Sequence, residues 1–126
     1  MNTQKKRIKI LIADDEECIR EFLSYVLEKK GFVAEGAADG KEALEKITHD
    51  KPDIIILDVA MPRMDGLEVC KRLRKNPDTR GIPIILFSAQ ERMKSTFQGL
   101  PGAAIKYIKK PGELEYLLAQ IEELVG

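Results

Sequence analysis

Pro52-Asp53-Ile54-Ile55-Ile56-Leu57-Asp58-Val59-Ala60-Met61-Pro62 is the stretch that decides the fold of this chain. Four consecutive branched aliphatics with no polar alternation predict a strand covered on both faces, as in the centre of a parallel sheet. Pro52 and Pro62 disfavour helix on either side, so the run stays short. It delivers one carboxylate, Asp58, to the sheet edge.

Working outward, Ile8, Ile10, Leu11, Ile12 and Ala13 predict a first strand that runs directly into Asp14-Asp15-Glu16-Glu17. Acids at a helix start favour the positive end of the dipole and can cap free N–H groups, so a helix cap is the plain reading of this cluster. Ile19, Phe22, Leu23, Val26 and Leu27 recur at helical spacing until Gly31. Val33 to Ala37 reads as a second strand, leading through Asp39-Gly40 into a helix with Ala43, Leu44 and Ile47 on its inner face. Beyond Asp58, Met64-Asp65-Gly66 opens a third helix carrying Leu67, Cys70 and Leu73, closed by Asn76-Pro77. Ile82 to Ser88 is the fourth strand, Glu91 to Phe97 a weaker helix broken by Gly99-Leu100-Pro101-Gly102, and Ala104 to Lys109 the fifth strand. Leu114, Leu117, Leu118, Ile121 and Leu124 make the last helix.

At 126 residues and 44% hydrophobic content the chain is expected to be a single domain over 1–126, with one packed core and no output domain. Twenty-one basic residues balance twenty-one acidic ones, which gives no reason to expect nucleic acid or membrane as the ligand. Lys5-Lys6-Arg7 reads as a solvated terminus. Cys18 and Cys70 lack metal-type spacing and sit among apolar helix positions, where a small buried hydrophobe is the expected role and a cytoplasmic location is implied. His49, the only histidine, falls in the polar connection Thr48 to Pro52 and reads as a solvated loop residue.

Five strand-helix units in strict alternation imply an α/β fold: a doubly wound, flavodoxin-like, five-stranded parallel sheet of order 2-1-3-4-5, with five helices on two faces. Such a fold places a site outside the carboxyl ends of the strands, at the switch point between strands one and three. Asp14 and Asp15 end strand one, Asp58 ends strand three, Ser88 ends strand four and Lys110 follows strand five. Three close carboxylates repel one another, and a hard divalent cation relieves them. Magnesium suits carboxylates, waters and an incoming phosphate, whereas zinc would call for Cys and His. Lys110 supplies a point charge for a phosphoryl oxygen, Ser88 a hydroxyl, and Asp58 is the candidate nucleophile.

Ile10-Leu11-Ile12-Ala13-Asp14-Asp15, Leu57 through Gly66, Phe87-Ser88-Ala89 and Tyr107-Ile108-Lys109-Lys110-Pro111 together resemble the receiver domain of bacterial response regulators in two-component signalling, of the single-domain, chemotaxis-regulator type. The resemblance implies that Asp58 accepts a phosphoryl group from a phosphohistidine on a sensor kinase or histidine phosphotransfer protein. It implies magnesium held by Asp15, Asp58 and the Ala60 carbonyl, with Asp14 acting through water. Lys110 would clamp the phosphoryl group, the Lys110-Pro111 bond would be cis, and Ser88 with Tyr107 would form a conformational switch. Backbone N–H groups at Ala60 and Ala89 would add donors. A downstream protein would dock on the face formed by the Glu91 helix, the fifth strand and the last helix, and the domain would be a monomer or weak dimer.

Three departures from the family pattern stand out: Gly112 where an aromatic is usual, Pro101 with a displaced Gly102-Ala103, and Ala60, which cannot guide water where Gln90 can. Two other functions fit parts of the sequence. A phosphate-independent docking domain would not need Asp58 and Lys110. An aspartate-nucleophile phosphatase would need an acid two residues after the nucleophile, where Ala60 stands.

Overall fold

The computed structural model describes residues 7–89, 97, 100–102, 105–110 and 114–125. The expectations for Lys5 and Lys6, Gln90, the helix from Glu91, Ala103 and Ala104, Pro111 and Gly112 fall outside these residues. The elements run β1 (Lys9–Ala13), α1 (Glu17–Lys29), β2 (Val33–Ala37), α2 (Gly40–His49), β3 (Ile54–Leu57), α3 (Gly66–Lys75), β4 (Ile84–Ser88), β5 (Ile105–Lys109) and α4 (Leu114–Val125). Four helices thus stand among the described residues.

All five strands are parallel, in the order β2-β1-β3-β4-β5. Strand β3 sits at the centre, and all four of its side chains are buried. Their alternation feeds both faces. Ile55 and Leu57 join Leu11, Ala13, Ile84 and Leu86 in a core under α2 and α3 that includes Ala43, Ile47, Val69 and Leu73. Ile54 and Ile56 join Ile10, Ile12, Ile85, Phe87 and Ile108 under α1 and α4, against Leu23, Leu27, Leu117 and Ile121. Each fully buried aliphatic contributes about 1.5–3 kcal/mol, so this strand is among the strongest determinants of the fold.

Local chemistry sets the boundaries. Asp39 and Asp65 cap α2 and α3, accepting from the N–H groups of Glu42 at 2.8 Å and Glu68 at 3.0 Å. Gly31, at φ +95°, ends α1 with Gly31 N–H on the Glu28 carbonyl and Phe32 N–H on that of Leu27. Strand β4 starts at Ile84 rather than at Ile82, because Pro83 has no N–H for the ladder; its carbonyl still accepts from Ile55 N–H.

Helix α1 corrects two expectations. Cys18 is exposed, not a buried hydrophobe, and Phe22 is 51% exposed. Positions 18, 22 and 25 form one stripe of the helix, and the inward stripe is the one holding Leu23 and Leu27. Cys70 is buried as expected, and burial pushes its thiol up to about 12 against the opposing charge of Arg74, so it is an inert packing residue.

Candidate functional site

The register of the sheet assembles the site. Ala13 pairs with Leu57 and Leu57 with Leu86, so the residues after β1 and β3 emerge side by side. The Asp58 N–H donates to the Ala13 carbonyl at 2.9 Å and the Asp14 N–H to that of Ala37 at 3.0 Å, which carries the ladder one step past the strands and pins both acids. Asp14 and Asp58 are buried and Asp15 is exposed, yet one carboxylate oxygen from each lies within 4.8 Å of the others.

Lys110 reaches into this cluster. Its Nζ stands 2.7 Å from Asp14 Oδ2, 3.3 Å from Asp58 Oδ2 and 3.2 Å from Glu16 Oε1, and 5.9 Å from the centre of the Phe87 ring. Burial disfavours the ammonium, but the hydrogen bonds to Asp14 and Glu16 and the charges of Asp58 and Asp14 outweigh it and hold the lysine above its usual pKa. Burial likewise pushes the Asp58 carboxyl up; Lys110 opposes this and Asp14 reinforces it. One ammonium among several acids leaves the pocket with an excess of negative charge.

Ser88 is buried at the end of β4. Its carbonyl accepts two bonds, from Tyr107 Oη at 2.9 Å and from Lys110 N–H at 3.0 Å, which ties the expected switch pair to the lysine-bearing segment. Ala60 N–H faces Asp58 Oδ1 at 3.4 Å. Ala89 is exposed beyond β4. Asp14, Asp15, Asp58 and Lys110 are therefore brought together, Ser88 and Tyr107 are bonded to each other, and Pro111 lies outside the described residues.

The loop after β3 is tightly seated. Gly66 N–H donates to the Val59 carbonyl at 2.8 Å, and a Cβ on Gly66 would meet the Asp58 carbonyl oxygen at 2.5 Å. A Cβ on Gly40 would press into the Met64 carbonyl harder still. Between these contacts Met64 N–H donates to the Pro62 carbonyl at 2.7 Å in a three-residue turn whose centre, Arg63, takes φ 68°. Arg63 Nε lies 3.6 Å from Asp39 Oδ2.

Sequence reasoning missed Glu16 and Arg20. Glu16 occupies the N-cap of α1, but its side chain makes no cap bond and goes to Lys110 instead, so the cap reading of the acid cluster fails for that residue. Arg20 donates to the Asp14 carbonyl at 2.7 Å. No local pattern marks either one; both depend on which elements the fold brings alongside.

The donor set fits a hard divalent cation: it is all oxygen, part buried and part exposed, and under-neutralised. Among the described residues no helix is long and apolar enough to cross a membrane. The family described as Response regulator receiver domain matches residues 10–122. The response regulator MprA of Mycolicibacterium vanbaalenii is 42% identical over 118 residues, which are 94% of this chain and 50% of that protein. The chain thus spans about half the length of the curated relatives it matches. Among solved structures, the chemotaxis response regulator CheY4 of Vibrio cholerae superposes with a TM-score of 0.83 at 33% identity, covering 94% of this chain and 99% of that one. TrrA of Thermotoga maritima, solved in complex with Mg(2+)-BeF, gives 0.82 at 33% identity, covering 93% and 98%. With its sheet order, its acid edge and a match across nearly its whole length, this chain belongs to the response regulator receiver domain family of two-component signalling.

Proposed function

We propose that this receiver domain takes a phosphoryl group onto Asp58 from a phosphohistidine of a sensor kinase or phosphotransfer protein. The observation that carries the reading is the buried Asp58 carboxylate with Lys110 Nζ at 3.3 Å and two further acids within 4.8 Å. A carboxylate oxygen of Asp58 attacks phosphorus, the bond to the donor imidazole nitrogen breaks, and that nitrogen keeps the electron pair. Asp15, Asp58 and the Ala60 carbonyl would hold magnesium, with Asp14 contributing through water. The ion, when bound, neutralises charge on the transferring phosphoryl oxygens.

The chain's own groups do the rest. Lys110, already oriented by Asp14, pairs with a phosphoryl oxygen, and the N–H groups of Ala60 and Ala89 and the Ser88 hydroxyl donate to others. Burial of Asp58 keeps bulk water from competing for the acyl phosphate. A shift of the β4 end as the Ser88 hydroxyl turns toward the phosphoryl group would reach Tyr107, whose hydroxyl holds the Ser88 main-chain carbonyl. In this reading the domain catalyses its own phosphorylation and dephosphorylation and passes the change to a protein partner over the β5 and α4 side. Ala60 offers no general acid for turnover of external phosphoesters.

The test is incubation with magnesium and acetyl phosphate, followed by location of the added mass. Wild type should gain one alkali-labile phosphoryl group, and Asp58→Asn should gain none. A labile phosphoryl group that persists in Asp58→Asn would overturn the assignment.

A further inference from the structure

We infer that Arg20 is a positioning residue for the acid pair, steering Asp15 from behind through the main chain. This deepens the reading above and rests on its magnesium site. Arg20 projects from the first turns of α1, and its Nη1 donates to the Asp14 carbonyl at 2.7 Å. That carbonyl belongs to the planar peptide joining Asp14 to Asp15, so the bond fixes the rotation of the peptide and with it the direction in which the Asp15 side chain departs. Asp14 itself needs no such help: its N–H is held by Ala37, its Oδ1 accepts from Glu16 N–H at 2.9 Å and its Oδ2 faces Lys110. Asp15, the exposed member of the cluster, has its backbone entry set from the Arg20 side.

Gly36 gives this reach its clearance. It lies in mid-strand opposite Ile12, and its φ is not one that requires glycine. What a side chain would do there is crowd the arginine: a Cβ would stand 3.2 Å from Arg20 Cδ and 3.7 Å from Nε. The missing side chain thus leaves the Arg20 stem room where it lies against β2 on its way to the Asp14 carbonyl.

The sign of the effect separates this role from a bulk electrostatic one. A guanidinium beside a cation site repels the cation, so a residue acting only through its charge would weaken magnesium binding, and its removal would tighten it. A positioning residue does the reverse. Titration of magnesium alone into unphosphorylated protein should show about a tenfold loss of affinity in Arg20→Met, the scale usual for groups that orient ligands from behind. Gly36→Ala should weaken binding in the wild-type background and have no further effect in Arg20→Met, since both act through one bond. Independently of any metal, the Glu16 amide, held by Asp14 Oδ1 at 2.9 Å, should exchange roughly tenfold faster in Arg20→Met as the segment loosens. Asp58→Asn is the control for the underlying site: wild-type magnesium affinity there would remove the magnesium reading and leave amide exchange to decide the role of Arg20. Unchanged exchange, or unchanged or tighter magnesium binding in a natively folded Arg20→Met, overturns the inference.

Discussion

Lys9 and Lys110 stand at opposite ends of the sheet, and each gathers several acids. Lys9, at the start of β1, lies 2.7 Å from Asp50 and 3.0 Å from Glu35, partners whose side chains are 68% and 37% exposed. Lys110, past the end of β5, meets Asp14 and Asp58, whose side chains are 3% and 8% exposed. Both lysines are held above their usual pKa although burial opposes the charge. The difference is what water can do. At Lys9 solvent screens the surplus acid, and the cluster is a modest staple. At Lys110 the two nearest acids, Asp14 and Asp58, are shut away from solvent, so water screens them little and a proton or a bound cation relieves them instead. Similar pairing chemistry becomes a fastening at one end and a demand for a ligand at the other.

The sharpest way to break this comparison is to remove each lysine in turn. Lys110→Met leaves two buried carboxylates facing each other and should lower unfolding free energy, measured in urea without divalent cations, by about 3 kcal/mol. If Lys9→Met lost as much, burial would not be what separates the two.

A second test follows protons. The raised Asp58 carboxyl binds a proton more readily folded than unfolded, so the folded state carries the extra proton between the ordinary carboxylate range and the raised value. The contribution of Asp58 to stability therefore falls as pH rises through that window, with a slope of up to about 1.4 kcal/mol per pH unit. Thermal melts taken upward from the ordinary carboxylate range should show wild type losing stability with pH relative to Asp58→Asn, a difference isolated from the opposite contributions of Glu42 and Glu68. An identical slope in both proteins would show that Asp58 is not the strained group.

The smallest effect is expected at Lys9. Lys9→Met should cost under about 1 kcal/mol, and the loss should shrink further in about 1 M salt, where exposed charges are screened. A loss that resisted salt would make the Lys9 cluster behave like the buried one.

Much of this was legible in sequence because it rests on backbone rules. The Ile54 to Leu57 run and its flanking prolines define β3, and strict alternation with right-handed crossovers leaves little choice of sheet order, so Asp14, Asp15, Asp58 and Ser88 could be assigned to one edge. What escaped depends on side-chain reach. Glu16 could be a cap or a partner of Lys110, and only the approach of β5 decides it. Arg20 looks like any surface residue of an amphipathic helix until Gly36 is found beneath it. Phe22 and Cys18 were assigned by hydrophobicity, yet a helix packed on one side has room inside for only one stripe.

Gly40 and Gly66 hold the loop after β3 with no clearance: neither could carry even a methyl group without striking the Met64 or the Asp58 carbonyl. In mechanical terms this is an abutment. In the proposed function, a load arriving at Asp58 would meet this close packing against α2 and α3. On that reading a displacement would then fall on the opposite wall, where the Tyr107 hydroxyl meets the Ser88 carbonyl, a contact that turning one side chain alters. On the proposed function, the side of the pocket that stands would be the one where Gly40 and Gly66 leave no clearance.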